Sequence, residues 1–379
     1  MSLKIAFTGD IMPGGVLHNK EIRSSQEMIS YLKGFDLRIG TLECAIGDEP
    51  VFDPVKMALK QDVIYAPNIN LNKLKALGID CVSLANNHAF DLGEEGLRNT
   101  IQQLDLLGIA HCGAGLTVDE ASKPAILQCR GKKIGIIGLC DNRDDTVGYV
   151  PVATESSSGM NSISNDYRTQ VINLKRDVDY VFVMIHWGHE HTFWPDGYML
   201  DIAYQCIDSG ADGIIGGHQH RVQPLIHYHD KPIFLGLGNF LFPPRYLRAP
   251  RPMYYPDENE DTSKFPVTDV YPWVDQPTYK IWKRLGRIGA IGSIVLEDNK
   301  KIASNLKITQ INEKHCLEFP NDVPFTTIEK ITLKLIRSSI FNNGNYSMYS
   351  IMRFLYRGIR FGMRNMKKIY SYINKDRGI

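Results

Sequence analysis

The sequence predicts an α/β fold, because short apolar segments typical of strands alternate with segments of helical periodicity. Five of the predicted strands end in side chains of the types that bind metals, and the carboxyl ends of parallel strands meet at one edge of a sheet. In chain order these side chains are Asp10, Glu43, Asn87 with His88, His186, and His218 with His220. We therefore expect one shared polar site at this edge.

The individual elements follow from apolar runs that glycine or polar residues terminate. Strands are predicted at residues 3–8, 36–43, 80–85, 125–129, 133–139, 179–185, 213–215 and 232–237, helices at 69–77, 96–107, 165–177 and 197–208, and a hairpin over 288–311. Asp91 precedes the helix that runs to Leu107, and Glu94 and Glu95 lie in its first turn, where the helix dipole favours acidic side chains; Gly108 ends it. The Ser-, Asp- and Gly-rich stretch 141–163 is predicted to be an irregular surface loop.

Bulk composition describes an ordinary globular protein of one large domain with additions, or of two domains. The chain has 379 residues, 43% of them hydrophobic, and a net charge of +1, so no polyelectrolyte partner is implied for the whole chain. The seven cysteines are scattered without a Cys-x-x-Cys pair, which favours buried thiols in a reduced cytosolic protein. Neither a signal peptide nor an 18-residue apolar run is apparent, so we expect a cytoplasmic location.

The stretch 210–220 is central to the predicted site. Its apolar run ends at Gly216 and Gly217, and His218 and His220 follow. Side chains two apart on an extended segment point the same way, so both imidazoles can converge. By contrast, His227 and His229 alternate on a predicted strand with no carboxylate nearby, which indicates a solvated face.

Residues 243–282 break the α/β pattern with eight prolines and many aromatic residues. A loop of this length is typically functional or disordered, and its aromatic content disfavours disorder. We expect the segment to lie over the polar edge, with Tyr and Trp faces for sugar rings and Arg245, Arg248 and Arg251 for anionic groups. The alternative is a loop that fills a gap or makes an oligomer contact.

The C-terminal region carries a separate positive charge. Residues 329–379 contain 11 Lys and Arg against 2 Asp and Glu. Over residues 345–376 apolar and basic residues follow opposite faces of a predicted helix. Such a helix suits an anionic membrane surface, but it would dock equally well on the acidic body of the protein. Nucleic acid is an unlikely partner, because no base-reading aromatic module accompanies the charge.

Four stretches together resemble the poly-γ-glutamate capsule-synthesis (CapA) family of the calcineurin-like metallophosphoesterases. They are Thr8-Gly9-Asp10-Ile11-Met12, the run from Leu84 through Asn87-His88 to Gly93, His186-Trp187-Gly188-His189-Glu190, and the run from Gly210 through His220 to Phe240, with Leu42-Glu43 as a weaker fifth. The resemblance covers about residues 3–242. It implies a four-layer αββα sandwich, metallophosphatase-like, over residues 1–319, with residues 243–287 inserted as a lid-like loop and 320–379 as a basic amphipathic helical tail.

The resemblance also implies roles for the polar residues. Asp10 and His220 would bind one metal, Asn87, His186 and His218 a second, and Glu43 would stand where a bridging Asp is expected. His88 would protonate a leaving group, and Glu190 lies in the family's His-Trp-Gly-x-Glu motif without an assigned step. Met12 replaces a superfamily histidine, and a thioether is a poor ligand for hard divalent cations. One or two ions, Mn, Fe or Zn, are therefore expected.

The function so implied is that of a metal-dependent hydrolase or transferase in capsule or extracellular polymer biosynthesis, with an anionic polymer or its precursor as substrate. The alternative is a non-catalytic, polymer-handling subunit of a membrane-associated synthase with a degraded metal site. The sequence leaves open whether a phosphodiester, a polysaccharide ester or a γ-glutamyl amide is the bond acted on. The location would be cytoplasmic, or peripheral at the inner face of the membrane.

Overall fold

The computed structural model of the protein describes residues 2–59, 61–143, 147–249, 251–270, 276–297 and 301–320. Within these ranges the chain folds as a mixed α/β structure with two large sheets. The predicted tail helix over 345–376 lies outside the described residues, and the division at residue 320 stays a prediction.

The first sheet has nine strands among the described residues. In spatial order they are Arg23–Ser24, Cys316–Glu318, Ile302–Ile311, Ile288–Leu296, Leu3–Ile11, Leu37–Leu42, Cys81–Ser83 and Ala110–Cys112, with Asn239–Leu241 paired to Leu3–Ile11 off this path. The four strands from Leu3–Ile11 to Ala110–Cys112 run parallel, so their carboxyl ends share an edge. The register of Leu3–Ile11 shifts at Asp10. Such irregularities re-aim a side chain next to a site.

The second sheet has six strands within the described part of the chain. In spatial order they are Leu225–Tyr228, Lys231–Phe234, Gly213–Gly217, Tyr180–His186, Lys132–Cys140 and Ala125–Cys129. Its four inner strands are parallel and its two edge strands antiparallel. Smaller sheets pair Ala45–Ile46 with Tyr65–Ala66, pair Ala114–Gly115 with Gly159–Met160, and join Arg245–Leu247, Met253–Tyr254, Val267–Thr268 and Thr278–Lys280.

The described helices lie mostly between the strands along the chain, as the alternation predicts. The α-helices are Gln26–Lys33, Pro54–Ala58, Asn72–Ala76, Gly93–Leu107, Val118–Ser122, Tyr167–Asp177 and Gly197–Asp208, and the 3₁₀-helices are Gly15–Leu17, Asn68–Leu71, Thr262–Lys264 and Arg284–Arg287. Helix Gly93–Leu107 has Glu94 and Glu95 in its first turn, and Gly108 ends it in the left-handed conformation with φ 65°. No described helix combines the length and the apolar character needed to cross a bilayer.

One hydrophobic cluster contains side chains from both large sheets, so the two sheets pack face to face. Phe7 of the first sheet and Phe182 of the second meet at its centre, with ring centroids 5.2 Å apart. A second cluster packs helices Tyr167–Asp177 and Gly197–Asp208 on the other face of the second sheet. A third cluster contains side chains of helices Gln26–Lys33 and Gly93–Leu107 together with side chains of the first sheet. The facing sheets bring both sets of parallel strand ends to the same side of the molecule.

Two elements differ from the sequence prediction. The predicted helix 69–77 is a 3₁₀ turn, Asn68–Leu71, followed by the short helix Asn72–Ala76. The stretch 141–163 is irregular, as predicted, and residues 154–157 are exposed, but part of it is not a surface loop. Residues 158–162 are buried because Gly159–Met160 pairs with Ala114–Gly115 and the Cys140 N–H donates to the Asn161 carbonyl oxygen.

Candidate metal centre

Two buried carboxylates lie where the strands of the first sheet end. Asp10 is near the end of strand Leu3–Ile11, Glu43 follows strand Leu37–Leu42, and neither side chain is exposed. Asp10 Oδ2 accepts a bond from the His218 N–H at 3.3 Å. In contrast, Asp10 Oδ1 and both oxygens of Glu43 accept no hydrogen bond from any described residue. Orphaned buried oxygens of this kind are costly unless a cation or proton neutralises them.

Burial dominates the electrostatics of this carboxylate pair. It raises the pKa of Asp10 to about 7, although the His218 N–H opposes the shift. It also raises the pKa of Glu43 well above its usual range, and the negative charges of Asp10 and Glu190 add to this effect. A site that holds two such groups in the ionised state needs positive charge between them.

Three buried histidines converge on the carboxylates from the second sheet. His186 Nε2 and His220 Nε2 lie 3.5 Å and 3.7 Å from the same oxygen, Glu43 Oε1. His218 Nδ1 lies 3.2 Å from His186 Nε2, and His220 Nδ1 lies 3.7 Å from Asp10 Oδ2. The atoms form two potential metal-binding groups, one of Glu43, His186 and His218 and one of Asp10, Glu43 and His220. Glu43 belongs to both groups.

The pKa values of two of these imidazoles are lowered, which favours the neutral form that ligates metals. Burial is the main cause for both His186 and His220, and neighbouring imidazoles add to it. Asn239 Oδ1 lies 2.8 Å from His220 Nδ1, and the Asn239 amide in turn donates to the Gly286 carbonyl oxygen at 2.6 Å. This chain of contacts orients the ring so that Nε2 faces Glu43.

The backbone that carries His218 and His220 is not the extended segment that the sequence argument assumed. Strand Gly213–Gly217 ends before them, and both residues have positive φ, 90° for His218 and 48° for His220. The two imidazoles still converge, but through a turn that a non-glycine residue rarely adopts. Such strain is commonly retained at functional sites. Gly217 is required for close approach, since a Cβ there would lie 2.7 Å from Asp10 Oδ1.

His88 stands beside this cluster in a buried ion network. Its Nδ1 lies 2.7 Å from Asp91 Oδ2, so the remaining ring nitrogen, Nε2, is left for the adjacent cavity that His88 lines. Asp91 Oδ1 accepts from the buried Lys56 Nζ, which also donates to the Asn87 carbonyl oxygen. Burial lowers the pKa of His88, whereas the Asp91 charge opposes that shift. Asn87 Oδ1 lies 2.9 Å from His186 Nε2 and so joins this network to the metal-binding groups.

The cavity next to the cluster has a volume of about 260 Å³. Its lining residues are Lys56, Gln61, Asp62, Asn87, His88, Val147, Gly148, Glu190, His218 and Arg251. Burial and the Asp62 charge raise the pKa of Glu190 to about 7, while about a third of its side chain (34%) remains exposed to solvent. The cavity thus brings His88, Glu190 and one histidine of the cluster to a common space, large enough for a single charged group of a substrate.

The described part of the insertion lies directly over the strand ends. The Trp282 ring centroid lies 5.0 Å from that of His220 and 5.2 Å from that of Phe242. Trp282 is buried between these rings, so it forms part of the site's wall and not the exposed sugar-stacking face that we expected. Of the three arginines proposed for anionic groups, Arg251 lines the cavity, but Arg245 is buried beside Asp62 at 3.4 Å and Arg248 lies 3.6 Å from Glu260.

Other sequence-predicted positions fall as follows. Met12 is buried in a hydrophobic cluster, and its Sδ accepts from the Gly14 N–H at 3.3 Å, so it belongs to neither metal-binding group. His189 lies 2.8 Å from Asp196, and the His191 ring centroid lies 6.0 Å from that of His220. His227 and His229 are exposed, as predicted.

Comparison with known proteins identifies the family to which the chain belongs. Residues 4–244 match the family described as "Bacterial capsule synthesis protein PGA_cap". The chain belongs to this family. The matched range reproduces the resemblance predicted from the motifs, and most of the insertion lies beyond it.

Similar proteins carry related descriptions. The PGA biosynthesis protein CapA of Bacillus subtilis (strain 168) is 26% identical over 283 residues, which cover 71% of each chain. The capsule biosynthesis protein CapA of Bacillus anthracis is 28% identical over 261 residues, 65% of this chain and 61% of that protein. A probable polyglutamine synthesis accessory protein of Mycobacterium tuberculosis (strain CDC 1551 / Oshkosh) is 29% identical over 178 residues, 45% of this chain and 47% of its own.

Sequence reasoning missed several residues of the site. Asp91 had a usable signal, since it lies three residues after His88 on the turn that leads into helix Gly93–Leu107. Asn239 lies in the run from Gly210 to Phe240 that carries the family resemblance, but the sequence analysis gave it no role. Lys56 and Asp62 carry no signal, because only the folded chain brings them to the cavity.

Proposed function

We propose that the protein is a metal-dependent hydrolase or transferase that acts on an anionic polymer, or its precursor, in capsule or poly-glutamate synthesis. The observation that carries the proposal is Glu43: a fully buried carboxylate without a hydrogen bond from the described residues, shared by two groups of potential metal ligands. The family and the descriptions of its relatives support the polymer. We include in the proposal the metallophosphatase-like four-layer αββα arrangement, which the face-to-face sheets support.

The donor set fits a divalent transition metal. Mixed carboxylate, amide and imidazole ligands suit Mn, Fe or Zn better than Mg. Asp10 and His220 would hold one ion, His186 and His218 with Asn87 a second, and Glu43 would contact both. This division is the one that the resemblance implies, and the two groups of neighbouring atoms support it. The orphaned oxygens of Asp10 and Glu43 would then gain the partner that their burial requires.

A bound divalent cation supplies Lewis-acid polarisation and charge neutralisation for an anionic group under attack. The protein's own residues do the rest. His88 would give a proton from Nε2 to the leaving group when the ring is protonated, a form that the Asp91 carboxylate at Nδ1 favours and that burial, which lowers the pKa of His88, opposes. Glu190 and Arg251 also line the cavity and would orient the substrate. Trp282 covers His220 and keeps water from that side of the cluster.

Metal analysis of the purified protein tests this function. We expect about one or two equivalents of Mn, Fe or Zn in the wild-type protein, as for other one- and two-metal hydrolases, and their loss in His218→Ala. His227→Ala is the matched control, since His227 is exposed and contacts Ser304 at 2.8 Å. A wild-type protein that binds no metal under any loading condition would refute the proposed metal-dependent activity.

The second candidate is a polymer-handling subunit of a membrane-associated synthase. The Mycobacterium relative is described as a probable accessory protein, and Met12 stands where the superfamily's first motif has a histidine, which favours a weakened site. In this case the basic tail, outside the described residues, would hold a cytoplasmic protein at the inner face of the membrane. Metal-free protein that still binds poly-γ-glutamate would support this candidate over the enzyme.

A further inference from the structure

Lys56 occupies an unusual position for a lysine. Helix Pro54–Ala58, which Asp53 caps by accepting from the Lys56 N–H at 2.8 Å, directs this side chain inwards, where only 2% of it is exposed. The ammonium group donates to the carbonyl oxygen of Asn87 and to Asp91 Oδ1. Buried ammonium groups require such partners, and Lys56 has two, both within the candidate site.

Each contact of the ammonium group restrains a different part of the candidate site. The Asn87 carbonyl belongs to the peptide that joins Asn87 to His88, so fixing it sets the direction of both side chains. Asn87 Oδ1 lies 2.9 Å from His186 Nε2, on the metal side. Asp91 Oδ2 lies 2.7 Å from His88 Nδ1, on the acid side. The Lys56 ammonium group therefore contacts both the residue beside the metal-binding groups, Asn87, and the partner of His88, Asp91.

Asp91 itself is held by several independent contacts. It is fully buried, and its Oδ2 also accepts from the Ile64 N–H at 2.5 Å. The backbone N–H of Asp53 donates to the Asp91 carbonyl oxygen at 3.0 Å, which anchors the start of the Lys56 helix on the same turn. Asp53, Lys56 and Ile64 thus all contact the Asn87–Asp91 turn.

We propose that Lys56 is a positioning residue, which holds Asn87 towards the metal-binding groups and His88 towards the cavity. The inference rests on the proposed function and adds to it a residue that no motif contains. Partners behind a metal ligand typically contribute about 10- to 100-fold to metal affinity. A residue that only stabilises the fold would leave the affinity of the folded protein unchanged.

The test measures Mn²⁺ affinity by calorimetry in the full-length protein for the wild type, Lys56→Met and Lys73→Met. Lys73 is the matched control: it is also buried, and its Nζ donates to Asn70 Oδ1 at 2.6 Å, but it does not line the cavity. Both variants lower the midpoint of urea unfolding. Only Lys56→Met is expected to weaken Mn²⁺ binding, by about 10- to 100-fold. Lys56→Arg, which keeps the charge and the donors, restores binding.

The outcomes separate the two proposals. Equal Mn²⁺ affinity in the wild type and Lys56→Met overturns the role of Lys56 and leaves the proposed function standing. A wild type that binds none of Mn²⁺, Fe²⁺ and Zn²⁺ overturns the proposed function and this inference with it; if the wild type binds only one of the other two ions, the same comparison is made with that ion. If Lys56→Met does not fold in metal-free buffer, Lys56→Gln takes its place. The same loss of Mn²⁺ affinity is expected, and an affinity equal to that of the wild type would again overturn the role of Lys56.

Discussion

Replacing Glu43 by Gln should stabilise the metal-free protein while abolishing metal binding. Glu43 is fully buried without a hydrogen bond from the described residues, and Asp10 and Glu190 raise its pKa further through charge repulsion. The effective cost of a buried unpaired ion is several kcal/mol, part of which protonation relieves at neutral pH. The Gln amide carries no charge and can donate to the orphaned Asp10 Oδ1. We expect the free energy of unfolding to rise by about 1–3 kcal/mol.

The assay is urea unfolding at pH 7.5, first with a chelator and then with Mn²⁺. At an ion concentration of 1,000 times Kd, binding stabilises the wild-type protein by about 4.1 kcal/mol, whereas Glu43→Gln gains little. The order of stability therefore reverses when the ion is added. Glu313→Gln is the control, because Glu313 is 85% exposed, and its effect should stay within about 0.5 kcal/mol. A Glu43→Gln variant less stable than the wild type in chelator would refute the reasoning.

Three further predictions concern the acid, the backbone and the tail. Asp91→Asn should lower kcat on the eventual substrate by about 10²- to 10⁴-fold even at a saturating metal concentration, because the His88 imidazolium loses its charged partner; a kcat equal to that of the wild type would contradict this role. Gly217→Ala should reduce metal content, since its Cβ would lie 2.7 Å from Asp10 Oδ1, and full occupancy would show that the cluster tolerates displacement. Truncation after residue 325 should abolish flotation with acidic vesicles; identical flotation of both forms would exclude a membrane role for the tail.

The strand-end ligands were predictable because their signal is local. Each follows an apolar run in the sequence, and parallel topology then brings the ends of different strands to one edge. Helix Gly197–Asp208 has the predicted bounds for the same reason, since its periodicity lies within one segment. Fold class therefore needed no long-range information. The clustering of Asp10 and Glu43 with His186, His218 and His220 needed more, because the histidines follow strands of the second sheet and only the face-to-face packing of the two sheets brings them to the carboxylates.

The remainder of the site depends on contacts that no local pattern records. Lys56 lies 31 residues before Asn87 and 35 before Asp91, on a five-residue helix without distinctive composition. Arg245 was expected to contact substrate anions because arginine commonly does, yet the fold buries it beside Asp62. The positive φ values of His218 and His220 also escaped prediction, since non-glycine residues adopt them only where the surrounding structure imposes them.

Anomalous diffraction from crystals grown with Mn²⁺ tests the central claim most directly. The account predicts one or two anomalous peaks enclosed by Asp10, Glu43, His186, His218 and His220, with Glu43 contacting every ion observed there. In Glu43→Gln crystals grown under the same conditions these peaks should be absent. A wild-type map without a peak among these five side chains, or with peaks only elsewhere on the protein, would contradict the assignment of this cluster as a metal centre.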